Sequence, residues 1–415
     1  MNKIGRILVI NSQSIYKNNA TGITMRSILS CIPKKNILEL YRYIPINSVS
    51  NDLGIQSIQI PPQDMPLNYG IRRMLGLDNY REKDSIPQAT YGNSGGYSFK
   101  DISKIYLKAF VESSFLCPSK QFVKVVDDFQ PTHIYTMGAS FFINKWVLFF
   151  ARRYKIPVVL HFMDNWRETA YSQDIRLSMI RNIFLKQLDS IENNMSCGLV
   201  ISGYMEEAYR EKYHRNYKTL MNTVRVQQIQ SSSSEVVRIV YAGGMHLGRD
   251  KILKRVASCI NNSYKYKLYI YTTENDKEKY GNEFNGLHVQ FKDYVPHDQV
   301  NTIYENADVL LHIESFDSQI VPYTKYSMST KIPEYMSVGK PIICFAPKIL
   351  AVSKYINKTH VGISVENERE LVSVLNILES SEMRMEYGKC GIKVAQRYHS
   401  ENMLKERLEE VFKID

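Results

Sequence analysis

The stretch YSMSTKIPEYMSVGKPII (326–343) leads polar residues into a short helical segment, stops it at Gly339, and continues as an apolar strand. Pro333 suits a first helical turn, where a missing N–H costs nothing, and Ser329 or Thr330 stands in capping position. A helix starting near Thr330 leaves unpaired backbone N–H groups that form a seat for an anion. Lys331 brings a positive charge to that seat. Glu334, about one turn inside, presents a carboxylate able to accept hydrogen bonds from both hydroxyls of a ribose.

Working outward, the same helix-to-strand rhythm fills the chain. Short apolar runs at 6–10, 37–44, 55–60, 133–137, 157–162 and 198–202 read as strands, with helical spacing between most of them. The second half repeats this at 237–243, 266–272, 289–295, 308–313, 341–346 and 361–365. Alternation of this kind is the pattern of parallel sheets wrapped by helices, so the expected class is α/β, with one sheet in each half.

At 415 residues the chain exceeds what one core organises, which also predicts two domains. The polar, serine-rich run QQIQSSSSE (227–235) reads as an exposed loop, and the boundary is expected within about 205–235. We assign 1–210 to an N-terminal domain, 211–395 to a C-terminal domain and 396–415 to an amphipathic terminal helix packing back on the first domain. Residues 61–100, with Pro61, Pro62, Pro66 and several glycines, read as a long loop.

Composition excludes several classes. Hydrophobic residues at 44% and charged residues at 23% are ordinary globular usage, neither disordered nor fibrous. The run Ile7 to Ile10 is too short for a secretory leader and no apolar stretch approaches the length that spans a bilayer, so a cytoplasmic protein is expected. Six cysteines without close pairs offer neither zinc-ligand nor redox spacing. The net charge of +11 lies mostly in the first half, which points that half towards an anionic partner such as a membrane surface or a lipid pyrophosphate. No nucleic-acid-binding motif accompanies the charge, so nucleic acid is not an expected partner.

A second motif is VYAGGMHLGRDKILKR (240–255), a strand ending in Gly243 and Gly244 and leading through Arg249 into a helix. The two glycines permit close backbone approach, but the turn is neither a P-loop nor a full GxGxxG fingerprint. Together, EYMSVGKP (334–341) and this glycine turn resemble glycosyltransferase family 4, in its capsule and O-antigen type bacterial members. The resemblance implies the GT-B fold: two Rossmann-like domains facing a cleft.

It further implies a nucleotide-sugar donor held by the C-terminal domain through Gly243, Gly244, Arg249, Lys254, Ser329, Thr330, Lys331 and Glu334. Gly248-Arg249 with Lys254 reproduces the family's cation spacing, although Lys251 competes with Lys254. Eight positions before Glu334, where the family carries a glutamate, stands Tyr326. The run DYVPHDQVNTIYENADVLLHI (293–313) is similar to the family's strand, turn and helix, and places Tyr294 and Val295 beside the base. Gly22, after the first strand, resembles the glycine that approaches the reacting sugar in GT-B enzymes.

LHFMDNW (160–166) ends an apolar strand, so His161 and Asp164 are expected at its carboxyl end, facing acceptor or transferred sugar. We read His161, Asp164 and Arg249 as the catalytic set. No aspartate pair at DxD spacing is present, so no metal or cofactor is expected, and helix N–H groups with cations stabilise the leaving group.

The resulting expectation is a retaining, metal-independent glycosyltransferase serving a glycan or lipid-linked acceptor in surface polysaccharide synthesis. Peripheral association with the inner membrane face through the basic N-terminal domain accompanies it. A nucleotide-sugar 2-epimerase and a non-catalytic partner of the same fold are the alternatives.

Overall fold

In the computed structural model of the chain, the described residues are 4–45, 48, 53–74, 97–227, 235–261, 263–296 and 299–413. They form two compact units, one of Met1–Asn222 with Leu404–Asp415 and one of Thr223–Met403.

The first unit carries, among the described residues, a seven-stranded parallel sheet. Its strands are β1 (Ile7–Gln13), β2 (Ile37–Tyr43), β3 (Gln56–Gln59), β4 (His133–Thr136), β5 (Val158–Phe162), β6 (Met195–Val200) and β7 (Tyr217–Thr219). They run in the order β3-β2-β1-β4-β5-β6-β7. In β1, Ile7 and Val9 join one apolar cluster with Met25, Ile28 and Leu29, while Leu8 and Ile10 join another with Trp146, Val147 and Phe150. Alternate side chains point to opposite faces, so a strand apolar at every position must be covered on both sides.

The second unit repeats the plan. Its strands are β8 (Val237–Ala242), β9 (Tyr266–Tyr271), β10 (Val289–Lys292), β11 (Val309–Ile313), β12 (Ile342–Phe345) and β13 (Gly362–Val365), in the order β10-β9-β8-β11-β12-β13. The helix Arg249–Ile260 lays Ile252, Leu253, Val256, Ala257 and Ile260 on Val237, Ile239 and Leu268. Both orders reverse direction once, between β1 and β4 and between β8 and β11. At such a switch point the connections leave to opposite sides and open a crevice at the strands' carboxyl ends.

The structure departs from the sequence reading in two places. Strand β7 is a three-residue edge strand paired with β6, too short to show alternation, and it places residues up to Asn222 in the first unit. Within 61–100, where a loop was expected, Pro66–Met74 and Phe99–Glu112 are helices, and residues 75–96 lie outside the described set. Pro66 read as a breaker, yet it opens its helix, the one place where proline is favourable. The chain ends in two helices, Ser381–Tyr398 and Glu401–Phe412, the latter being the expected amphipathic terminal helix. The second buries Leu404, Leu408, Val411 and Phe412 in the first unit's core, each burial contributing about 1.5–3 kcal/mol.

The seven-residue helix Lys331–Ser337 is held from behind by Ser381–Tyr398. A Cβ on Gly388 would stand 2.1 Å from the carbonyl oxygen of Gly339, so the helix lies directly on the turn that ends its neighbour. Gly388→Ala is expected to destabilise the second unit by about 1–3 kcal/mol through overpacking. Gly281→Ala, with nothing within 4 Å, should leave thermal unfolding unchanged.

Candidate functional site

The switch point of the second sheet gathers Arg249, Glu314, Lys331 and Glu334. β8 ends at Ala242 and is followed by Gly243, whose N–H donates to the Tyr271 carbonyl at 2.9 Å. A Cβ on Gly243 would lie 1.9 Å from Lys331 Nζ, so only glycine lets that ammonium sit on the backbone here. The same Nζ lies 5.3 Å from the centre of the Tyr241 ring, a cation over an aromatic face. The Tyr241 hydroxyl donates to the Gly244 carbonyl at 2.7 Å and so fixes the turn.

Arg249 opens its helix immediately after Gly248, which adopts φ +73°. Its Nη2 donates to Glu314 Oε1 and Oε2 at 3.1 and 3.0 Å. Glu314 directly follows β11 and is 7% exposed, with His312 Nε2 3.2 Å from its Oε1. Burial pushes the Glu314 carboxyl up, but Arg249 and His312 outweigh it and hold the pKa at about 2. Burial drives the His312 pKa down, with Glu314 pulling the other way. Lys331 is pushed down to about 8, first by burial and then by the charge of Arg249, with Glu334 and Glu314 opposing.

Glu334 lies one turn along from Lys331 and is 7% exposed. It neighbours Tyr304, whose phenol is pushed well above its ordinary pKa by burial and then by Tyr335 and Glu334. The Tyr304 and Tyr335 rings meet edge to face at 4.8 Å. At the helix start, Thr330 is already αR and gives no side-chain cap, whereas Ser329 Oγ accepts the Lys331 N–H at 3.3 Å. In a helix of only seven residues the attraction for an anion rests mainly on the Lys331 and Arg249 charges.

Of the donor residues expected from sequence, the structure thus brings together Gly243, Gly244, Arg249, Ser329, Thr330, Lys331 and Glu334. Others stand apart. Lys254 is on the exposed side of its helix, 3.5 Å from Glu283, because five residues along a helix turn a side chain well away from Arg249. Strand β10 stops at Lys292, leaving Tyr294, 52% exposed, and Val295 on the loop beyond an edge strand. Glu314, His312 and Tyr241 were missed. The available signal for Glu314 was a carboxylate directly after an apolar strand at a switch point.

In the first unit the catalytic expectation for His161 fails. The ring is 0% exposed, its Nδ1 lies 2.7 Å from the Tyr135 hydroxyl, and burial lowers its pKa to about 3. His161 lies within β5, not beyond its end, and alternation sends its ring into one packed face of the sheet against Tyr135. Asp164, beyond the end of β5, is partly exposed. Gly22 lies in the first turn of Ala20–Leu29, where a Cβ would stand 2.1 Å from the Lys17 carbonyl oxygen. Its missing side chain is therefore demanded by the chain's own loop. Among the described residues no group of three or more His, Cys, Asp and Glu side chains is gathered to hold a metal ion, and no helix is long and apolar enough to cross a membrane.

Two Rossmann-like parallel sheets in one chain define the GT-B fold, and solved glycosyltransferase structures match it along their length. A sucrose-phosphate synthase from Thermosynechococcus elongatus is 12% identical, with 98% of each chain covered and a TM-score of 0.64. HepE of Anabaena, solved in complex with UDP-glucose, is 12% identical over 97% of this chain and 98% of that one, with a TM-score of 0.60. A glycosyltransferase from Rickettsia africae is 11% identical with full coverage of both chains and a TM-score of 0.58. Residues 239–407 match the family described as glucosyltransferase 3-like, C-terminal domain. No curated protein matches the chain.

Because Lys331 loses its charge as pH rises through about 8, attraction for an anion at Gly243 is present below that pH and declines above it. Nucleoside diphosphate affinity, measured by calorimetry from pH 7 to 9.5, should fall in the wild type relative to Lys331→Arg, which stays charged throughout.

Proposed function

We propose that the chain is a glycosyltransferase that moves a sugar from a nucleoside diphosphate donor to a glycan or lipid-linked acceptor. The observation that carries this reading is the meeting of Lys331 and Arg249 at a switch point, over a backbone bared by Gly243. Two cations beside a glycine turn suit a diphosphate, and Glu334 one turn along suits the ribose hydroxyls attached to it. The family matched by residues 239–407 supports the choice of a sugar nucleotide, and the UDP-glucose bound by HepE makes UDP-sugars the first donors to try.

In this scheme the bond between the anomeric carbon and the diphosphate breaks while the bond to the acceptor oxygen forms. The acceptor's proton passes to the departing phosphate, and the anomeric configuration is retained. Lys331 and Arg249 meet the charge that develops on the leaving group, the term with the largest leverage on such a step, and the scheme is metal-independent. The first unit takes the acceptor, with Asp164 as a contact, and the Gly22 turn approaches the transferred sugar. Glu334→Ala should raise the donor KM about tenfold or more, and Arg249→Ala should lower kcat by about 10²–10³. Unaltered transfer in both variants, assayed with UDP-, GDP-, ADP- and CDP-sugars, would refute the reading.

The same reading places the protein in the cytoplasm, at the inner face of the membrane, in bacterial surface polysaccharide synthesis. Support comes from the helix Phe99–Glu112, whose outer surface divides in two. Phe99, Leu107 and Phe110 are 79%, 50% and 67% exposed along one stripe, and Lys100, Lys104 and Lys108 form the row beside it. The Tyr106 hydroxyl donates to the Arg176 carbonyl at 2.7 Å, bringing exposed Ile175 and Met179 next to this helix. Apolar side chains edged by lysines fit an anionic lipid surface. Vesicle affinity measured by co-sedimentation with phosphatidylglycerol vesicles should fall about fivefold for each lysine neutralised to glutamine. It should also be lost in Phe99→Ser/Phe110→Ser, with transfer to a soluble acceptor intact.

A further inference from the structure

The charges at the second unit's switch point cancel before any ligand arrives. Arg249 and Lys331 contribute two positive charges, and Glu314 and Glu334 two negative ones. His312 and His246, the titratable rings nearest the cluster, are both kept towards neutrality by burial. The carboxylate of Asp276 is committed to the Met245 N–H and the Thr272 hydroxyl, each at 3.0 Å.

Glu314 is the unexpected member of this set. A ribose-binding carboxylate has a task in the proposed reaction, and the two cations have theirs. Glu314 places both oxygens on Arg249, is almost fully buried beyond the end of β11, and is an anion where an anion is meant to bind. We propose that Glu314 is a built-in counter-ion: it fixes the Arg249 guanidinium and, by repelling the diphosphate, weakens retention of the leaving nucleotide so that product can depart.

The physical reasoning is one of sign. A fixed negative charge within a few ångströms of the cations subtracts from their attraction for any phosphate. It subtracts most from the free nucleoside diphosphate, which carries one more negative charge than the sugar-linked donor. The device therefore disfavours product over substrate at the same subsite. A purely structural ion pair makes the opposite prediction, since loosening Arg249 can only weaken nucleotide binding.

This inference rests on the reading of the cluster as a diphosphate site, and the experiment separates the two. Calorimetry first establishes which nucleoside diphosphate the wild type binds; no binding by any of UDP, GDP, ADP or CDP removes the underlying reading. The same titration is then made with Glu314→Gln, which keeps shape and hydrogen-bond acceptor but not charge. The expected result is a dissociation constant about tenfold tighter, with product inhibition strengthened by the same factor and a smaller gain for the donor sugar nucleotide. Equal or weaker nucleotide binding by the folded variant overturns the proposal. Should Glu314→Gln not fold, Glu314→Ala is read in its place, because water refilling the volume leaves the predicted sign unchanged.

Discussion

A parallel sheet covered on both faces admits charge within its strands only where it is closely paired or hydrogen-bonded, so charge free to meet a ligand collects beyond the strand ends. In this chain β1 packs apolar side chains on both faces, β8 sends Val237, Ile239 and Tyr241 into the second unit's core, and the strand order reverses beside each of them. That single constraint delivers Arg249, Glu314 and, through the following helix, Lys331 to one place. The cluster forms where the apolar strand interiors of the second unit end.

Burial then sets the chemistry of the collected charges. A carboxylate as enclosed as Glu314 remains ionised only because Arg249 donates to both of its oxygens, and removing either partner would leave the other without compensation. Lys331 stands near the Tyr241 ring, and burial together with the charge of Arg249 lowers its pKa to about 8, whereas in Glu314 the Arg249 and His312 contacts overcome the effect of burial. The glycine beneath Lys331, Gly243, is required by its φ of +154°, and it leaves room for the ammonium.

Periodicity made the sheets legible in the sequence, since apolar strands and amphipathic helices repeat at lengths that propensity can read. The edge strand β7 escaped because three residues show no alternation, and the helix after Pro66 because proline signals both an end and a beginning. Within the site, Lys331, Glu334, Arg249 and Gly243 were legible because local motif and position coincide. Lys254 and His161 misled for one reason: sequence spacing gives distance along the chain, whereas the direction of a side chain depends on helix phase or strand parity. Glu314 belongs to neither motif and becomes visible only when β11 is laid beside β8.

The first unit is discontinuous in the sequence, its core completed by Leu404, Leu408, Val411 and Phe412 after the whole of the second unit. The Phe412 ring stands edge-on to His133 and Tyr135, and its carbonyl accepts the Gly5 N–H at 2.9 Å. On the ribosome, all of the second unit's segment emerges before those residues do. The later half of the polypeptide can therefore mature first, while the earlier half waits, with an open apolar face, for its final clasp.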